Sequence, residues 1–136
     1  MHTEKRRVVL DTNIIISAAI SKNGNPAKVL KSLVKGDFLN FTSKEIVEEI
    51  NNVFEKDRIK RIATRKNLVL SGFLLSSVLI EPSFDEKVVI DSDDDKFINC
   101  ALTANADVVS GDSHLLTLKK FGNVKIISPK EFLDSL

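Results

Sequence analysis

Short apolar runs alternate along this chain with amphipathic stretches. Val8-Val9-Leu10 is apolar and β-branched, the pattern of a strand buried on both faces. Asp11 stops the run, and an apolar, helix-like stretch from Ile14 to Ile20 follows with no room for a long loop. Ser21 to Pro26 is loop-forming. Ala27 to Val34 places Val29, Leu30, Leu33 and Val34 on one side of a helix, and Gly36 is suited to end it in the left-handed region. A second strand is predicted over Phe38–Phe41. Thr42 to Phe54 then reads as a helix with Thr42 at the N-cap, Glu45 completing a capping box, and Ile46, Val47, Ile50, Val53 and Phe54 as its apolar stripe. At ~100° per residue, Glu48 points away from that stripe, whereas Glu49 lies at its edge beside Val53.

The second half keeps the alternation. Leu68 to Leu75 is an apolar helix, Ser77–Ile80 a strand stopped by Pro82, and Phe97 to Ala106 a helix capped near Ser92 or Asp93. Asp107–Ser110 is a fourth strand, Leu115 to Leu118 a short helix, and Val124–Ile127 a fifth strand. Ser128-Pro129 opens a last helix with Ser at the N-cap and Pro at the first helical position. Strict β-α alternation predicts an α/β fold of three layers, α/β/α, around a five-stranded parallel sheet with right-handed crossovers. With 136 residues the chain suits one domain with a proper core, spanning 1–136, and the polar, basic residues 1–6 are expected to fray.

Composition narrows the class. Hydrophobic content of 43% and charged content of 29% are ordinary for a soluble domain. A formal net charge of +1 provides no global basic field, so nucleic acid must be met by local patches. The single cysteine, Cys100, excludes a disulfide framework and a zinc-finger cluster, and its apolar neighbours mark it as a buried, inert thiol. No apolar run reaches membrane-spanning length and no signal peptide opens the chain, so a cytoplasmic protein without membrane association is expected. Phe is the only large aromatic type, which supplies a base-stacking platform poorly.

Charge is strongly patterned. Between 56 and 66, Lys56, Arg58, Lys60, Arg61, Arg65 and Lys66 stand against Asp57 alone. Arg58, Arg61 and Arg65 recur at i, i+3 and i+7, so one helix could present all three, with Lys60 nearby. That stripe is either a phosphate-holding surface for RNA or a solvated helix face. The sign then reverses: between 81 and 95, seven acids, Glu81, Asp85, Glu86, Asp91, Asp93, Asp94 and Asp95, face only Lys87.

Candidate chemistry follows from the acids. Asp11 closes one strand, and Asp112 follows another across Ser110-Gly111. If those strands are neighbours, the two carboxylates lie roughly 5 Å apart and repel unless a cation joins them. Asp11 could equally cap the following helix. The helix opening at Asp93-Asp94-Asp95 adds negative charge, and Glu49 can overhang from another helix. Carboxylates gathered from separate elements suit a hard cation such as Mg²⁺ or Mn²⁺, which could activate water against a phosphodiester. Zinc is disfavoured, because only His2, His114 and Cys100 are softer ligands. The acids at 91, 93 and 95 also fit a solvated helix start favoured by the macrodipole.

At these residues the chain resembles a PIN domain, a family of metal-dependent nucleases. Val8-Val9-Leu10-Asp11-Thr12-Asn13 resembles the family's opening hydrophobic-D-T-N block. Asp91 to Phe97, running into Ala101-Leu102 and Ala106-Asp107, resembles its third acidic block. Val108 to Leu116, with Ser110-Gly111-Asp112 and Leu115-Leu116, resembles its S/T-G-D-x-x-L-L block. The resemblance spans roughly Arg7 to Phe132. It implies Asp11, Glu49, Asp94 and Asp112 as catalytic metal ligands for Mg²⁺ or Mn²⁺, with Thr12, Asn13 and Ser110 orienting the carboxylates or the attacked phosphate. His114 stands where many members carry another acid, which leaves a second metal site unsupported. The subgroup it most resembles comprises toxin components of toxin–antitoxin pairs: homodimeric ribonucleases restrained by a protein antitoxin. A catalytically silent PIN-like scaffold that binds RNA or a partner is the alternative, but it would be expected to have lost an acid. A receiver domain fits poorly, since it needs a phospho-accepting Asp after the third strand and a Lys after the fifth. Here those strands end at Glu81-Pro82 and Ile127-Ser128. Flap-type DNA nucleases need DNA-clamping insertions that this length cannot hold.

Overall fold

β1 (Arg7–Leu10) carries Val8 and Val9 fully buried. It lies between β2 (Leu39–Thr42) and β4 (Asp107–Val109), both parallel to it, and an inner strand of a parallel sheet is covered by helices on both faces. The computed structural model describes residues 4–87 and 92–136. Among them, six strands form one sheet in the order β3-β2-β1-β4-β6-β5, with β3 at Ser77–Leu79, β5 at Lys120–Phe121 and β6 at Val124–Ile127. The predicted five-stranded, all-parallel sheet is therefore corrected to a mostly parallel one of six. The added strand, β5, pairs antiparallel with β6 through Lys120↔Lys125 and Phe121↔Val124. Gly122 makes this return possible at φ 58°, a conformation open to glycine. Two residues are too few to leave an alternating signature in the sequence.

Helices flank the sheet. They are α1 (Thr12–Ile20), α2 (Asn25–Lys35), α3 (Lys44–Phe54), α4 (Asp57–Ile62), α5 (Lys66–Ser76), α6 (Asp95–Ala104), α7 (Ser113–Leu118) and α8 (Pro129–Ser135). A 3₁₀ turn over Ser92–Asp94 leads into α6. α6 packs against β1, β2, β4, β6 and α3, whereas α1, α2 and α5 pack on one another. Gly36 ends α2 at φ 84°, and Ser128 caps α8, as the sequence predicts. The N-cap of α3 differs from expectation: it is Ser43, whose hydroxyl accepts from Ile46 N at 3.3 Å. Thr42 is the last residue of β2, so sheet pairing takes it before the capping box can. Pro26 lies in the first turn of α2 and not in a loop, because its missing N–H costs nothing there. Arg6 does not fray. Its guanidinium reaches Asp107 at 3.4 Å, bonds the Ser135 hydroxyl and lies 5.4 Å above the Phe132 ring. One apolar cluster runs from Val8 to Phe132, where Phe38 and Phe132 meet edge to face at 4.7 Å. Among the described residues no helix is long and apolar enough to cross a membrane.

The sheet holds one polar side chain that helps to set the end of β1. Asn40 on β2 is fully buried. Its amide oxygen accepts from Leu10 N at 2.9 Å, and its amide nitrogen donates to Ser77 Oγ at 2.8 Å. Ser77 Oγ in turn donates to the Phe73 carbonyl at 2.6 Å. One side chain thus ties β1, β2 and β3 together immediately before Asp11. Asn40→Leu leaves the Leu10 N–H buried without that acceptor, at a cost of about 1–3 kcal/mol. A urea melt should show a lower midpoint with an unchanged slope; an unchanged midpoint would show that the bridge carries no stability.

Candidate active site

The carboxyl edge of a parallel sheet is where side chains leave the core, and β1 and β4 end there side by side with Leu10 opposite Val109. Asp11 N donates to the Val109 carbonyl at 3.1 Å, so the first acid is still tied to the neighbouring strand. Asp11 is 3% exposed. Its Oδ1 accepts from Asn13 N at 2.8 Å and Ile14 N at 3.3 Å, capping α1, while Oδ2 accepts the Ser110 hydroxyl. Ser110, wholly buried, accepts from Asp112 N at 3.0 Å through the same hydroxyl oxygen. Asp112 caps α7 by accepting from His114 N at 2.8 Å. Asp11 therefore caps a helix and still lines the cavity, so the cap does not take it out of the candidate site.

Burial pushes the Asp11 carboxyl up, from an ordinary 3.8 to about 6. The Ser110 hydroxyl and the Ile14 and Asn13 N–H groups oppose this by favouring the charged form, and the charge of Asp112 adds a little to the rise.

Glu49 arrives from α3. Its Oε2 accepts the Thr12 hydroxyl, and its Oε1 lies 3.1 Å from Lys96 Nζ. Asp94 ends the 3₁₀ turn and is 7% exposed. These side chains share a cavity of about 180 Å³ lined by Asp11, Thr12, Asn13, Glu49, Val53, Asp93, Asp94, Phe97 and Asp112. Glu48, one residue from Glu49, lines a different cavity with Ser43, Leu79 and Pro82, as the helical phasing predicts.

The donor set is entirely oxygen, which suits a hard divalent cation. Its carboxylates line one cavity without closing on a point. Among the described residues, no three carboxylate, imidazole or thiol groups are already gathered tightly enough to hold an ion. His114 is outside the lining, and the buried Cys100 thiol is pushed up to about 12, so neither offers a soft ligand.

The fold thus brings together Asp11, Glu49, Asp94, Asp112, Thr12 and Asn13, with Ser110 beneath them. It does not bring the basic residues into one stripe. α4 ends at Ile62, and Arg65 lies beyond it, at the N-cap of α5. Arg65 Nη1 donates to the Ala18 carbonyl at 3.0 Å, satisfying one of the open carbonyls at the end of α1. Lys60 pairs with Glu55 at 3.3 Å. Arg58 and Arg61 remain exposed on α4. Asp91 lies outside the described residues. Two site residues escape the sequence reading. Asp93 lines the cavity although its position also suits a solvated helix start, and Lys96 is hidden by the acids around it. The available signal for Lys96 was its place as the cation that directly closes the acidic block, two residues beyond Asp94.

A pH prediction follows from Asp11. Its folded carboxyl sits above its unfolded value, so holding it charged costs stability, about 3 kcal/mol, once the pH exceeds both values. The cost is absent below about pH 4 and fully present above about pH 6. In chelator, Asp11→Asn removes this dependence, because an asparagine amide can accept at the cap and donate to Ser110. The variant should gain on wild type in thermal midpoint between pH 4 and pH 6. A constant difference across that range would contradict the assignment.

Comparison with known proteins agrees with this geometry. A family model for the PIN domain matches residues 7–114. An uncharacterized protein of Methanocaldococcus jannaschii is 34% identical over 145 aligned positions, covering 98% of this chain and 94% of that protein. Among solved structures, a chain of VapBC2 from Rickettsia felis, crystallised bound to a DNA fragment from their promoter, superposes with a TM-score of 0.63. The identity there is 18%, over 90% of this chain and 98% of that one. PAE2754 from Pyrobaculum aerophilum superposes with a TM-score of 0.60 at 15% identity, over 96% of this chain and 88% of that one. At those identities the structural likeness is one of fold. The family match over most of the chain is what assigns it: this protein belongs to the PIN domain family, a family of nucleases.

Proposed function

We propose that the protein is a metal-dependent endoribonuclease that hydrolyses RNA phosphodiester bonds and acts as the toxin of a toxin–antitoxin pair. One observation carries the reading: Asp11, Glu49, Asp94 and Asp112, from four separate parts of the chain, line one small cavity at the carboxyl edge of the sheet. In this reading those four hold Mg²⁺ or Mn²⁺. The bound cation would supply positive charge to the phosphodiester and make water a better nucleophile near neutral pH. Ser110 fixes the rotamer of Asp11, and Thr12 fixes that of Glu49. Asn13 is exposed at the cavity wall, where its amide is available to a phosphate oxygen. Arg58 and Arg61, exposed on the short helix that follows α3, are the phosphate contacts this reading keeps from the basic segment.

The toxin role entails a homodimer and a protein antitoxin. Exposed apolar side chains support such partners: Val34 is 59% exposed, Leu68 68% and Leu75 88%. Val34 and Leu68 line a groove of about 770 Å³ between α2 and α5, with Lys28, Lys31 and Lys35 also on its lining. An amphipathic, acidic antitoxin segment complements that surface.

Asp94→Asn removes a ligating charge with little change of shape. It should lower RNA cleavage in Mn²⁺ by at least about a hundredfold, the scale on which even groups supporting a metal ligand matter. Expression of the wild type should arrest growth, and the variant should relieve that arrest. Millimolar Mn²⁺ should raise the wild-type thermal midpoint, since a ligand at one hundred times its dissociation constant stabilises by about 2.7 kcal/mol. The variant should respond less. Glu49→Gln should behave like Asp94→Asn, and Glu48→Gln like wild type. Full activity of Asp94→Asn would remove the metal-site reading. Replacing Arg58 and Arg61 together by Ala should weaken RNA binding and flatten its log–log salt dependence by about 1.4 for a single strand. An unchanged slope would take α4 out of the RNA surface.

A further inference from the structure

One carboxylate of the cavity already faces a cation, and the chain supplies it. Lys96 Nζ lies 3.1 Å from Glu49 Oε1, and the Lys96 side chain is 8% exposed. The ammonium also donates to the Asp93 carbonyl and sits 5.2 Å from the centre of the Phe97 ring. An ammonium so withdrawn from water needs an anion beside it, and Glu49 supplies one. The opposite oxygen of Glu49 is held by Thr12. Glu49 is therefore engaged at both oxygens by the chain's own donors. This arrangement accompanies carboxylates that share one cavity without closing on a single point.

We propose that Lys96 is a positioning residue of the metal site, acting through Glu49. It neutralises and holds Glu49 while no divalent cation is bound, and a cation must take that carboxylate from the ammonium in order to bind. Lys96 therefore lowers the affinity of the site, so that it fills only where the divalent cation is plentiful. The inference rests on the metal-site reading above. It adds a specific competitor, placed two residues beyond Asp94, so that the entry to α6 carries both an acid of the site and the cation that opposes filling it.

Isothermal titration with Mn²⁺ tests this without any measure of activity. Lys96→Met should tighten Mn²⁺ binding about tenfold, in keeping with removal of a unit charge from a poorly screened site. Lys96→Arg, which keeps the charge, should stay within about twofold of wild type. In a Glu49→Gln background, Lys96→Met should lose most of its effect, because the partner through which it acts has no charge to release. An equal gain in both backgrounds would show a general charge effect and overturn the role of Glu49. Unchanged or weaker binding by Lys96→Met would overturn the proposal while leaving the metal site standing. A wild type that binds no Mn²⁺ would overturn both. Acetylation of the wild type, read by mass spectrometry, guards against a variant that does not fold. Lys96 should react more slowly than the exposed Lys130, and Mg²⁺ should speed its reaction; a rate indifferent to Mg²⁺ would also overturn the proposal.

Discussion

The pairing of β1 with β4, with Leu10 opposite Val109, is the constraint on which the candidate site depends. Parallel strands deliver their carboxyl ends to the same edge, so an acid just past each of two neighbours comes close by topology alone. About a hundred residues separate Asp11 from Ser110 and Asp112 in sequence, yet one serine hydroxyl reaches both: it donates to the Asp11 carboxylate and accepts from Asp112 N. α6, packed across β1 and β4, brings Asp94 to the same edge, and α3, packed on α6, brings Glu49. A slip of one residue in β1 against β4 would turn the side chains of β1 to the other face and carry Asp11 out of register with Ser110.

Such a cluster works against folding, since like charges are gathered and partly removed from water. The chain offsets this with donors from several elements. Backbone N–H groups at the start of α1 meet Asp11, the His114 N–H in the first turn of α7 meets Asp112, a threonine hydroxyl meets Glu49, and the Lys96 ammonium meets its other oxygen. The positive ends of two helices add to the same effect. What remains uncompensated shows in the raised Asp11 carboxyl. Strain of this electrostatic kind is common at functional sites and is carried by the rest of the core, here by a sheet whose central strand is buried on both faces.

Capping and ligation, which look like alternatives in the sequence, are compatible in three dimensions. A carboxylate has two oxygens and several lone pairs. Asp11 gives one oxygen to its helix and the other to Ser110, and it still lines the cavity. Asp112 likewise caps α7 while facing the same space. The cap holds the side chain in one rotamer, which is what a site built from separate elements requires.

Local chemistry was enough to determine much of this protein. The β-branched run at Val8–Leu10, the Ser128-Pro129 helix start and the Gly36 stop are signals read within a few residues, and each holds in the fold. The phasing of α3 separates Glu49 from Glu48 because helical geometry is itself local. Tertiary structure decided what depends on partners distant in sequence. Thr42 went to the sheet and left the cap to Ser43, because β2 gains pairing on both sides. Arg65 left the basic stripe because the open carbonyl of Ala18, far earlier in the chain, needed a donor. Asn40 became a buried bridge because Leu10 and Ser77 arrive on either side of it. Lys96, a surface lysine by composition and by its place in a run of acids, became the inner cation of the site because folding set Glu49 against it. Hydrophobic period and capping act over a turn or a strand, so the sequence shows them; the pairing of charges depends on which elements meet, and only the packed fold settles that.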